Sequence, residues 1–364
     1  MSTTGRAVRH RRLFQVAASV AALTVLIAAC GGGDAATDPA PSPAAEGPTE
    51  AASLVLDYTP NGTHSPFFVA KDQGFYAENG IDLTIEPGRG STVGLQALAA
   101  GQYTFAIAGA ESVATAIAGG APLTAIASIT ADAGLCAMVK PDSGINTLAD
   151  LRGHTFATTP GGLVATLFPA MVAAAGLQPG DVENVSLGFD SYLSQFVTGQ
   201  VDASQAFVYG EPIRVQARFD TETNCIPFTD AGLDLLGFTL VTTTETVNDN
   251  PELVRGFLEA TARGTEAAKA DPAAAITTLR AGLAPAQQQI LSENEAEQQI
   301  LETFLTLTPG STPATEGLGW GCFAEGAWES ELETLQEYAG LPDTVTPDQV
   351  YTNDLLPTPC GAGS

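Results

Sequence analysis

Short apolar runs alternate with segments of helical spacing along the first third of the chain. The runs typical of strands are residues 54–58, 81–85, 103–108 and 123–129, and the helical segments between them are 64–76, 95–100 and 113–117. The run 123–129 is apolar almost throughout, as expected of a strand with both faces covered. Strands that alternate with helices at this spacing predict an α/β fold with a largely parallel sheet.

The same order of elements repeats in the middle of the chain. The predicted elements there are a short helix at 148–153, a strand at 155–157 and a helix at 161–175 that ends at a glycine. Residues 192–203 then give the order helix, Gly-Gln, strand, as residues 95–105 do. This repeat predicts two similarly wound lobes, and not one long sheet.

The last third of the chain is mainly helical. A strand is predicted at 238–242, followed by helices at 251–270, 272–281, 286–305 and 325–339. These helices are rich in Ala, Glu and Gln, a composition that suits a solvated layer packed on the first lobe.

The first 52 residues predict export and a lipid anchor. A start with four arginines precedes an apolar run of 17 residues, 13–29, which is too short to span a membrane and is typical of a signal peptide. Two alanines stand before Cys30, so the stretch resembles a bacterial lipoprotein signal: residues 1–29 are removed and Cys30 is lipidated. The alternative is a simple membrane anchor. Residues 31–52 lack large apolar side chains, which predicts a disordered tether that spans on the order of 25 Å.

Charge narrows the possible partners. The whole chain has 14 Lys and Arg against 41 Asp and Glu. Removal of the signal peptide takes four arginines and no acids, which leaves 10 against 41, a net charge of −31. Such a body disfavours nucleic acid and anionic membrane surfaces as partners, so the lipid anchor is the only membrane contact expected. The three lysines, Lys71, Lys140 and Lys269, also disfavour a ligand held mainly by ammonium groups.

Four further cysteines predict disulfide bonds. Cys136, Cys225, Cys322 and Cys360 are an even number without CxxC spacing, in a chain expected outside the cell. This arrangement predicts two disulfides and no metal site. Three pairings are possible, and free buried thiols are the alternative.

Five segments carry a resemblance to a known family. They are Leu-Asp-Tyr-Thr-Pro-Asn-Gly-Thr-His at 56–64, Ala-Lys-Asp-Gln-Gly-Phe-Tyr at 70–76, Asn-Gly-Ile-Asp at 79–82, Gly-Gln-Tyr-Thr-Phe at 101–105 and Tyr-Thr-Asn-Asp-Leu-Leu-Pro at 351–357. Over residues 54–357 the chain resembles ABC-transporter substrate-binding proteins for thiamine pyrimidine precursors, with relatives for nitrate, sulfonates and taurine. The same family includes the eukaryotic thiamine-pyrimidine synthases.

The resemblance implies a type II periplasmic-binding-protein-like fold. Two α/β lobes with mainly parallel sheets are joined by two crossover strands, and the ligand lies in the cleft between the lobes. Lobe 1 is expected at 53–138 plus 236–364, and lobe 2 at 139–235. Under this topology the pairs Cys136–Cys225 and Cys322–Cys360 each join neighbouring segments, which favours that pairing.

The implied function is capture of a solute, not catalysis. A monomeric extracytoplasmic lipoprotein would deliver a small planar heterocycle, foremost a thiamine pyrimidine precursor, to an ABC permease and its ATPase; a flavin or a sulfonate- or nitrate-type solute is the alternative. The synthase branch carries a cysteine cluster and a lysine, but residues 237–241 lack cysteine here and Gln102 follows Gly101. No nucleophile elbow, P-loop or HExxH motif occurs, and no cofactor is expected.

Loops after parallel strands supply the candidate ligand contacts. The candidates are Tyr58, Asn61, His64, Phe67, Glu111, Ser112, Thr159, Gly161, Gly162, Tyr209 and Glu211. Tyr58 stands where the family usually has tryptophan and is expected to stack on the ligand, the alternative being a core tyrosine. His64 matches a histidine of both branches, and Glu211 falls where the resembling binders place an acid against the ligand. The alternatives are a turn for Asn61, a helix-start acid for Glu211, and a helix cap for Glu111 and Ser112.

Overall fold

The computed structural model describes residues 49–160, 163–188 and 191–361. The predicted signal peptide, Cys30 and the tether as far as residue 48 lie outside these ranges, as do Gly161 and Gly162. The two sheets described below belong to one unit, residues 44–364, by the density of their contacts. Among the described residues, no helix is both long enough and apolar enough to cross a membrane.

Ten strands lie in the described ranges. They are β1 (Glu50–Val55), β2 (Ile81–Glu86), β3 (Phe105–Gly109), β4 (Leu123–Ser128), β5 (Leu135–Val139), β6 (Thr155–Thr158), β7 (Glu183–Ser186), β8 (Ala203–Phe207), β9 (Asn224–Pro227) and β10 (Phe238–Thr243). The first sheet has the order β2-β1-β3-β10-β4 and the second β7-β6-β8-β5-β9. In each sheet four strands run in one direction, while β10 in the first and β5 in the second are antiparallel to both neighbours.

The chain crosses between the sheets twice. Residues 129–134 lead from β4 to β5, and residues 228–237 lead back from β9 to β10. The two crossovers bond to each other, since Ala133 N donates to the carbonyl of Leu235 at 2.9 Å. The predicted α/β fold with two crossovers is therefore confirmed, with mixed sheets in which one strand of five is reversed.

Fourteen α-helices lie in the same ranges. They are α1 (Ser65–Asp72), α2 (Phe75–Glu78), α3 (Ser91–Ala99), α4 (Ala110–Ala118), α5 (Leu163–Ala174), α6 (Tyr192–Val197), α7 (Glu211–Phe219), α8 (Thr244–Asp249), α9 (Pro251–Ala270), α10 (Pro272–Gly282), α11 (Pro285–Gln288), α12 (Asn294–Leu305), α13 (Ala327–Tyr338) and α14 (Pro347–Val350). Helix α9 begins as predicted because the Asn250 side chain caps it and proline occupies the first position. It covers the first sheet, where Phe257 stacks on Phe105 at 3.8 Å between ring centroids.

The two predicted Gly-Gln junctions have equivalent positions. Helix α3 leads through Gly101 into β3, and α6 leads through Gly199 into β8, with both glycines in the left-handed region. Each following strand pairs in parallel with one neighbour and antiparallel with the reversed strand of its sheet. The internal repeat read from the sequence is therefore present in the fold.

Some predicted element boundaries differ from the structure. The tether prediction extended too far, because Glu50, Ala51 and Ala52 already belong to β1 and pair with the start of β2. The single helix predicted at 286–305 is two helices, α11 and α12, separated by a turn in which Ser292 N donates to Glu297. Strands β5, β7 and β9 were not predicted, and β8 begins two residues later than expected.

Both favoured disulfides are present. Cys136 on β5 bonds Cys225 on the neighbouring strand β9, with the Cα atoms 5.5 Å apart. Cys322 bonds Cys360 with a Cα separation of 5.6 Å. The first bond fixes the edge of the second sheet, and the second fixes the segment after α14.

Candidate functional site

The loop after β1 is organised by Asn61 and His64. Asn61 Oδ1 accepts from Thr63 N at 3.1 Å and caps a 3-10 helix at Gly62–His64, while Asn61 N donates to His64 Nδ1 at 3.1 Å. Because Nδ1 accepts, the imidazole proton lies on Nε2, which donates to Asp57 Oδ1 at 2.7 Å. His64 is buried. The predicted ligand residues Asn61 and His64 thus shape the turn and orient Asp57.

Asp57 is the residue that sequence reasoning missed. It stands between the end of β1 and Tyr58, and its side chain is mostly but not fully buried. An acid at the end of the predicted strand 54–58, seven residues before a histidine, was the available signal. The pair with His64 holds the Asp57 carboxylate in one orientation at the strand end, where ligands bind in open α/β sheets.

Tyr58 lies at the surface of this loop. Its side chain is 43% exposed, which rules out the alternative of a core tyrosine. The main-chain oxygen of Tyr58 accepts from Gly88 N at 3.0 Å. A Cβ atom at Gly88 would lie 1.8 Å from the carbonyl oxygen of Leu56, so glycine is required for this close approach. The loop after β2 therefore supports the main chain of Tyr58.

Glu211 follows β8 of the second sheet, is the first residue of α7 and is buried. Its Oε2 accepts from Phe207 N at 2.7 Å, and its Oε1 accepts from the Tyr192 hydroxyl at 3.0 Å and lies 3.5 Å from Arg214 Nη1. Both oxygens are engaged within the protein. A bidentate contact of Glu211 with a ligand, as predicted, would have to displace these partners. The alternative, a solvated acid at a helix start, matches the position of Glu211 at the start of α7 but not its burial.

Tyr192 connects Glu211 with Tyr58. Burial raises the pKa of Tyr192 well above its usual value, and the neighbouring Glu211 carboxylate raises that pKa further. Tyr58 also contributes to the raised pKa of Tyr192, so a tyrosine from the first sheet lies near a tyrosine from the second. The phenols of Tyr58 and Tyr192 thus lie within electrostatic range of each other.

Tyr209 has the most unusual environment. Its side chain is 6% exposed, and among the described residues its hydroxyl has no hydrogen-bond partner. The ring stacks on Phe207 at 5.3 Å and forms a T-shaped pair with Phe304 at 5.1 Å between ring centroids. Gly134, at φ 66°, approaches the ring so closely that a Cβ atom would lie 3.3 Å from Cε1 of Tyr209. The ring is therefore fixed while the hydroxyl is unsatisfied.

The charges around Tyr209 are mainly negative. Burial raises the pKa of Tyr209 well above its usual value, and the carboxylates of Asp57, Glu211 and Asp132 raise it further, against a smaller opposite effect of Arg214. The phenol therefore stays protonated and is available as a donor. We refer to Asp57, Tyr58, Tyr192, Tyr209 and Glu211 as the tyrosine–carboxylate site.

Four of the candidate residues have their contacts elsewhere. Thr159 exchanges two hydrogen bonds with the Gln205 side chain on β8, at 3.0 and 2.9 Å. Glu111 Oε1 accepts from Ser112 Oγ at 2.6 Å, and burial raises the pKa of Glu111. Phe67 on α1 is 3% exposed and packs in the core of the first sheet. Gly161 and Gly162 lie outside the described residues.

Glu331 on α13 is a second buried acid that the sequence did not single out. It is 1% exposed, and its Oε2 accepts from Leu236 N of the second crossover at 3.0 Å. Burial and the nearby Glu111 raise the pKa of Glu331 to about 8. Oε2 of Glu111 has no hydrogen-bond partner in the described ranges. Two buried carboxyl groups thus act on each other near the segment by which the chain returns to the first sheet.

Comparison with known proteins identifies the family. A family model described as NMT1/THI5 like matches residues 61–275, more than half of the chain, and the chain belongs to this family. The riboflavin-binding protein RibY of Chloroflexus aurantiacus is 26% identical over 89% of this chain and 91% of its own length. A formylaminopyrimidine-binding protein of Halalkalibacterium halodurans is 24% identical over 84% and 90%. A 4-amino-5-hydroxymethyl-2-methylpyrimidine phosphate synthase of Legionella pneumophila is 27% identical over 58% and 67%.

Solved structures agree on the fold. The periplasmic aliphatic sulphonate-binding protein SsuA of Escherichia coli superposes with a TM-score of 0.63 at 17% identity, over 86% of this chain and 90% of its own. The periplasmic nitrate-binding protein NrtA of Synechocystis superposes with a TM-score of 0.57 at 14% identity, over 84% and 87%. The chain therefore has the fold of periplasmic binding proteins.

Proposed function

We propose, from the premise that this chain belongs to the NMT1/THI5-like family, that it is the solute-binding component of an ABC importer. It captures a small planar nitrogen heterocycle outside the cytoplasm and delivers it to a permease driven by an ATPase. The two sheets and their helices act as two lobes with the ligand between them, the first made of β1–β4 and the chain from β10 onward and the second of β5–β9. The expected boundary at 138/139 moves to the crossover at 129–134, because β5 pairs within the second sheet. Cys30 carries the lipid that keeps the protein at the membrane.

The observation that carries this proposal is the unsatisfied hydroxyl of Tyr209. A buried polar group without a partner costs about 1–3 kcal/mol, and a ligand acceptor atom would remove that cost. The nearby carboxylates already accept bonds: Asp57 Oδ1 from His64, and both oxygens of Glu211 from protein groups. The hydroxyl is thus suited to donate to a carbonyl or ring nitrogen of a bound molecule.

Charge at the site favours a neutral or cationic ligand. Asp57, Glu211 and Asp132 all act on Tyr209, whereas Arg214 is the cation that acts on it and is paired with Glu211 at 3.5 Å. An anion placed there would meet more negative than positive charge. The negative charge argues against a sulfonate or nitrate as the ligand, although solved proteins of the same fold are named as binders of these solutes.

A planar heterocycle matches the remaining groups. Tyr58 offers an exposed aromatic ring after β1, and stacking on such a ring contributes about 0.5–1.5 kcal/mol beyond area burial. A ring N–H or amino group can donate to Asp57 while a neighbouring acceptor receives the Tyr209 proton. Aminopyrimidines and the pyrimidinedione edge of flavins both have a donor beside an acceptor.

The foremost ligand class is a thiamine pyrimidine precursor, and riboflavin is the second candidate. The flavin is favoured by the relative named riboflavin-binding, which aligns with 89% of the chain. Relatives named as synthases make turnover a possible third outcome. A binder returns its ligand unchanged after incubation, and a chemically altered pyrimidine would refute the binding role.

Thermal unfolding with a ligand panel tests the proposal. The panel contains an aminopyrimidine, riboflavin, an alkanesulfonate and nitrate. A ligand at one hundred times its Kd adds about 2.7 kcal/mol to the free energy of unfolding and raises Tm by a few degrees. We expect a heterocycle to raise Tm and the anions to leave it unchanged. Stabilisation by the sulfonate or nitrate alone would refute the assignment.

The lipid anchor has a separate test. We expect the full chain, expressed in a bacterium, to fractionate with membranes, and Cys30→Ala to appear in the soluble extracytoplasmic fraction. A Cys30→Ala variant that stays with the membrane would favour the simple membrane anchor.

A further inference from the structure

Helix α12 touches both sides of the tyrosine–carboxylate site. On one side it meets the loop after β1 through Glu297, which is 2% exposed. Oε2 of Glu297 accepts from Gly62 N at 2.7 Å, and Oε1 accepts from Ser292 N at 2.9 Å. A Cβ atom at Gly62 would lie 2.2 Å from the main-chain oxygen of Glu297, so the two backbones are in direct contact. The carboxylate therefore fixes the start of the 3-10 helix at Gly62–His64.

The contact between Glu297 and Gly62 is linked to Asp57 through the 3-10 helix and the hydrogen bond of His64. Gly62 begins the 3-10 helix, and His64 ends it and donates to Asp57 at 2.7 Å. His64 is held in turn by Asn61 N at 3.1 Å. Any displacement of the Gly62 end would move the imidazole that orients Asp57. Glu297 thus acts on Asp57 without touching it.

The other side of α12 meets the segment that carries Tyr209 and Glu211. Ile300 and Ala296 pack with Ile213 of α7 in a small apolar cluster, separate from the larger core clusters. One turn further along α12, Phe304 forms a T-shaped pair with the Tyr209 ring, with an interplanar angle of 83°. Glu211 begins α7, two residues before Ile213. The second wall is therefore supported by the same helix as the first.

We propose that α12 couples the two walls of the site, with Glu297 as the positioning residue for Asp57 and Ile300 as the positioning residue for the start of α7. A ligand that orders one wall then orders the other through a single rigid helix. The coupling within the protein follows from these contacts alone, and its effect on ligand affinity rests on the proposed function.

Hydrogen–deuterium exchange of the ligand-free protein tests the coupling directly. Ile300→Ala removes the contact with α7, and Leu301→Ala is the matched control, since it deletes a similar volume from the next residue, which faces the core of the first sheet. We expect Ile300→Ala to raise exchange at least tenfold in residues 207–215 and also in 57–64. Leu301→Ala is expected to change the two segments no more than the rest of the chain. Exchange that rises in 207–215 but not in 57–64 would overturn the proposal.

Glu297 provides the reciprocal test. Glu297→Ala removes both acceptors, whereas Glu297→Gln keeps one, so the glutamine variant is expected to restore part of the protection of 57–64. Loss of protection in 207–215 on Glu297→Ala would support coupling in the other direction. Unchanged exchange in 207–215 would contradict it.

Binding of riboflavin, followed by its fluorescence, and of an aminopyrimidine, followed by calorimetry, extends the test to affinity. We expect Glu297→Ala and Ile300→Ala each to raise Kd about tenfold through faster dissociation, and the double variant to raise it clearly less than one hundredfold, because both act through one helix. A multiplicative effect in the double variant would show two independent supports. If the parent protein binds neither probe, the proposed ligand class is wrong, while the exchange results still decide the coupling.

Discussion

Replacement of Glu331 by glutamine is expected to change how stability depends on pH. Glu331 is buried on α13, and its pKa is raised from 4.5 to about 8, first by burial and then by Glu111. Between these two values the native state holds a proton that the unfolded state has released. The free energy of unfolding therefore falls as pH rises through this window.

The magnitude follows from the shift. Each pKa unit corresponds to about 1.36 kcal/mol, so a shift from 4.5 to about 8 corresponds to about 5 kcal/mol lost between pH 4.5 and 8. This stability is fully present below pH 4.5 and is lost as pH rises to about 8. Glutamine stays neutral throughout and keeps an oxygen that accepts from Leu236 N. The variant should therefore exceed the parent in stability by several kcal/mol at pH 8 and match it near pH 4.5.

Urea denaturation at several pH values between 4.5 and 8.5 measures this difference. Glu329→Gln is the matched control, because Glu329 lies on the same helix but is exposed. We expect the control to follow the parent at every pH, and the Glu331→Gln curve to diverge from both as pH rises. Parallel curves for the parent and Glu331→Gln would refute the reasoning that Glu331 is protonated in the folded protein.

Four further variants test other contacts. Tyr209→Phe removes an unsatisfied hydroxyl, so the free energy of unfolding in urea should stay unchanged or rise by about 1 kcal/mol. Tyr192→Phe breaks a hydrogen bond to a carboxylate and should lower that free energy by about 1.5–3 kcal/mol. The opposite order of the two variants would contradict the assigned environments. Tyr209→Phe should also weaken heterocycle binding about tenfold by calorimetry, and an unchanged Kd would exclude the proposed donor. Gly62→Ala forces a Cβ atom to within 2.2 Å of a carbonyl oxygen and should lower Tm by several degrees, so a wild-type Tm would refute the close approach. Replacing both Cys322 and Cys360 by serine removes a disulfide of sequence separation 38 and should lower the free energy of unfolding, measured in urea, by about 4 kcal/mol. A loss below 1 kcal/mol would show that this disulfide adds little stability.

The local pattern of apolar, capping and glycine residues was sufficient to predict the type and order of most helices and strands. The helix at Pro251–Ala270 was predicted to the residue, because the capping Asn250 and the following proline mark its start. The Gly-Gln junctions at Gly101 and Gly199 revealed the internal repeat, since each glycine takes a left-handed backbone at the end of a helix. Strand direction was beyond such reasoning, because β5 and β10 have the same apolar pattern whether they run parallel or antiparallel to their neighbours.

The site was predicted only in part, because long-range contacts decide which polar groups are satisfied. His64 and Glu211 were identified as ligand residues, yet their bonds run to Asp57 and to Tyr192 and Phe207. The sequence around Glu331 does not distinguish it from the other acids of a helix predicted to be solvated. Glu331 bonds to the second crossover, 95 residues away in the chain, and a local pattern does not reveal such a contact. Tyr209 was predicted as a ligand contact, and the unsatisfied state of its hydroxyl is visible only in three dimensions.

The position of β10 has a consequence for biosynthesis. This strand lies between β3 and β4 but is made more than one hundred residues after them, once the whole second sheet has been synthesised. Until Phe238–Thr243 arrives, β3 and β4 each present an open edge of apolar backbone, the kind of edge that recruits strands from other chains. The first sheet therefore stays incomplete until β10 has been made, and proteolytic loss of the chain from residue 238 onward would leave that sheet divided, not merely shortened.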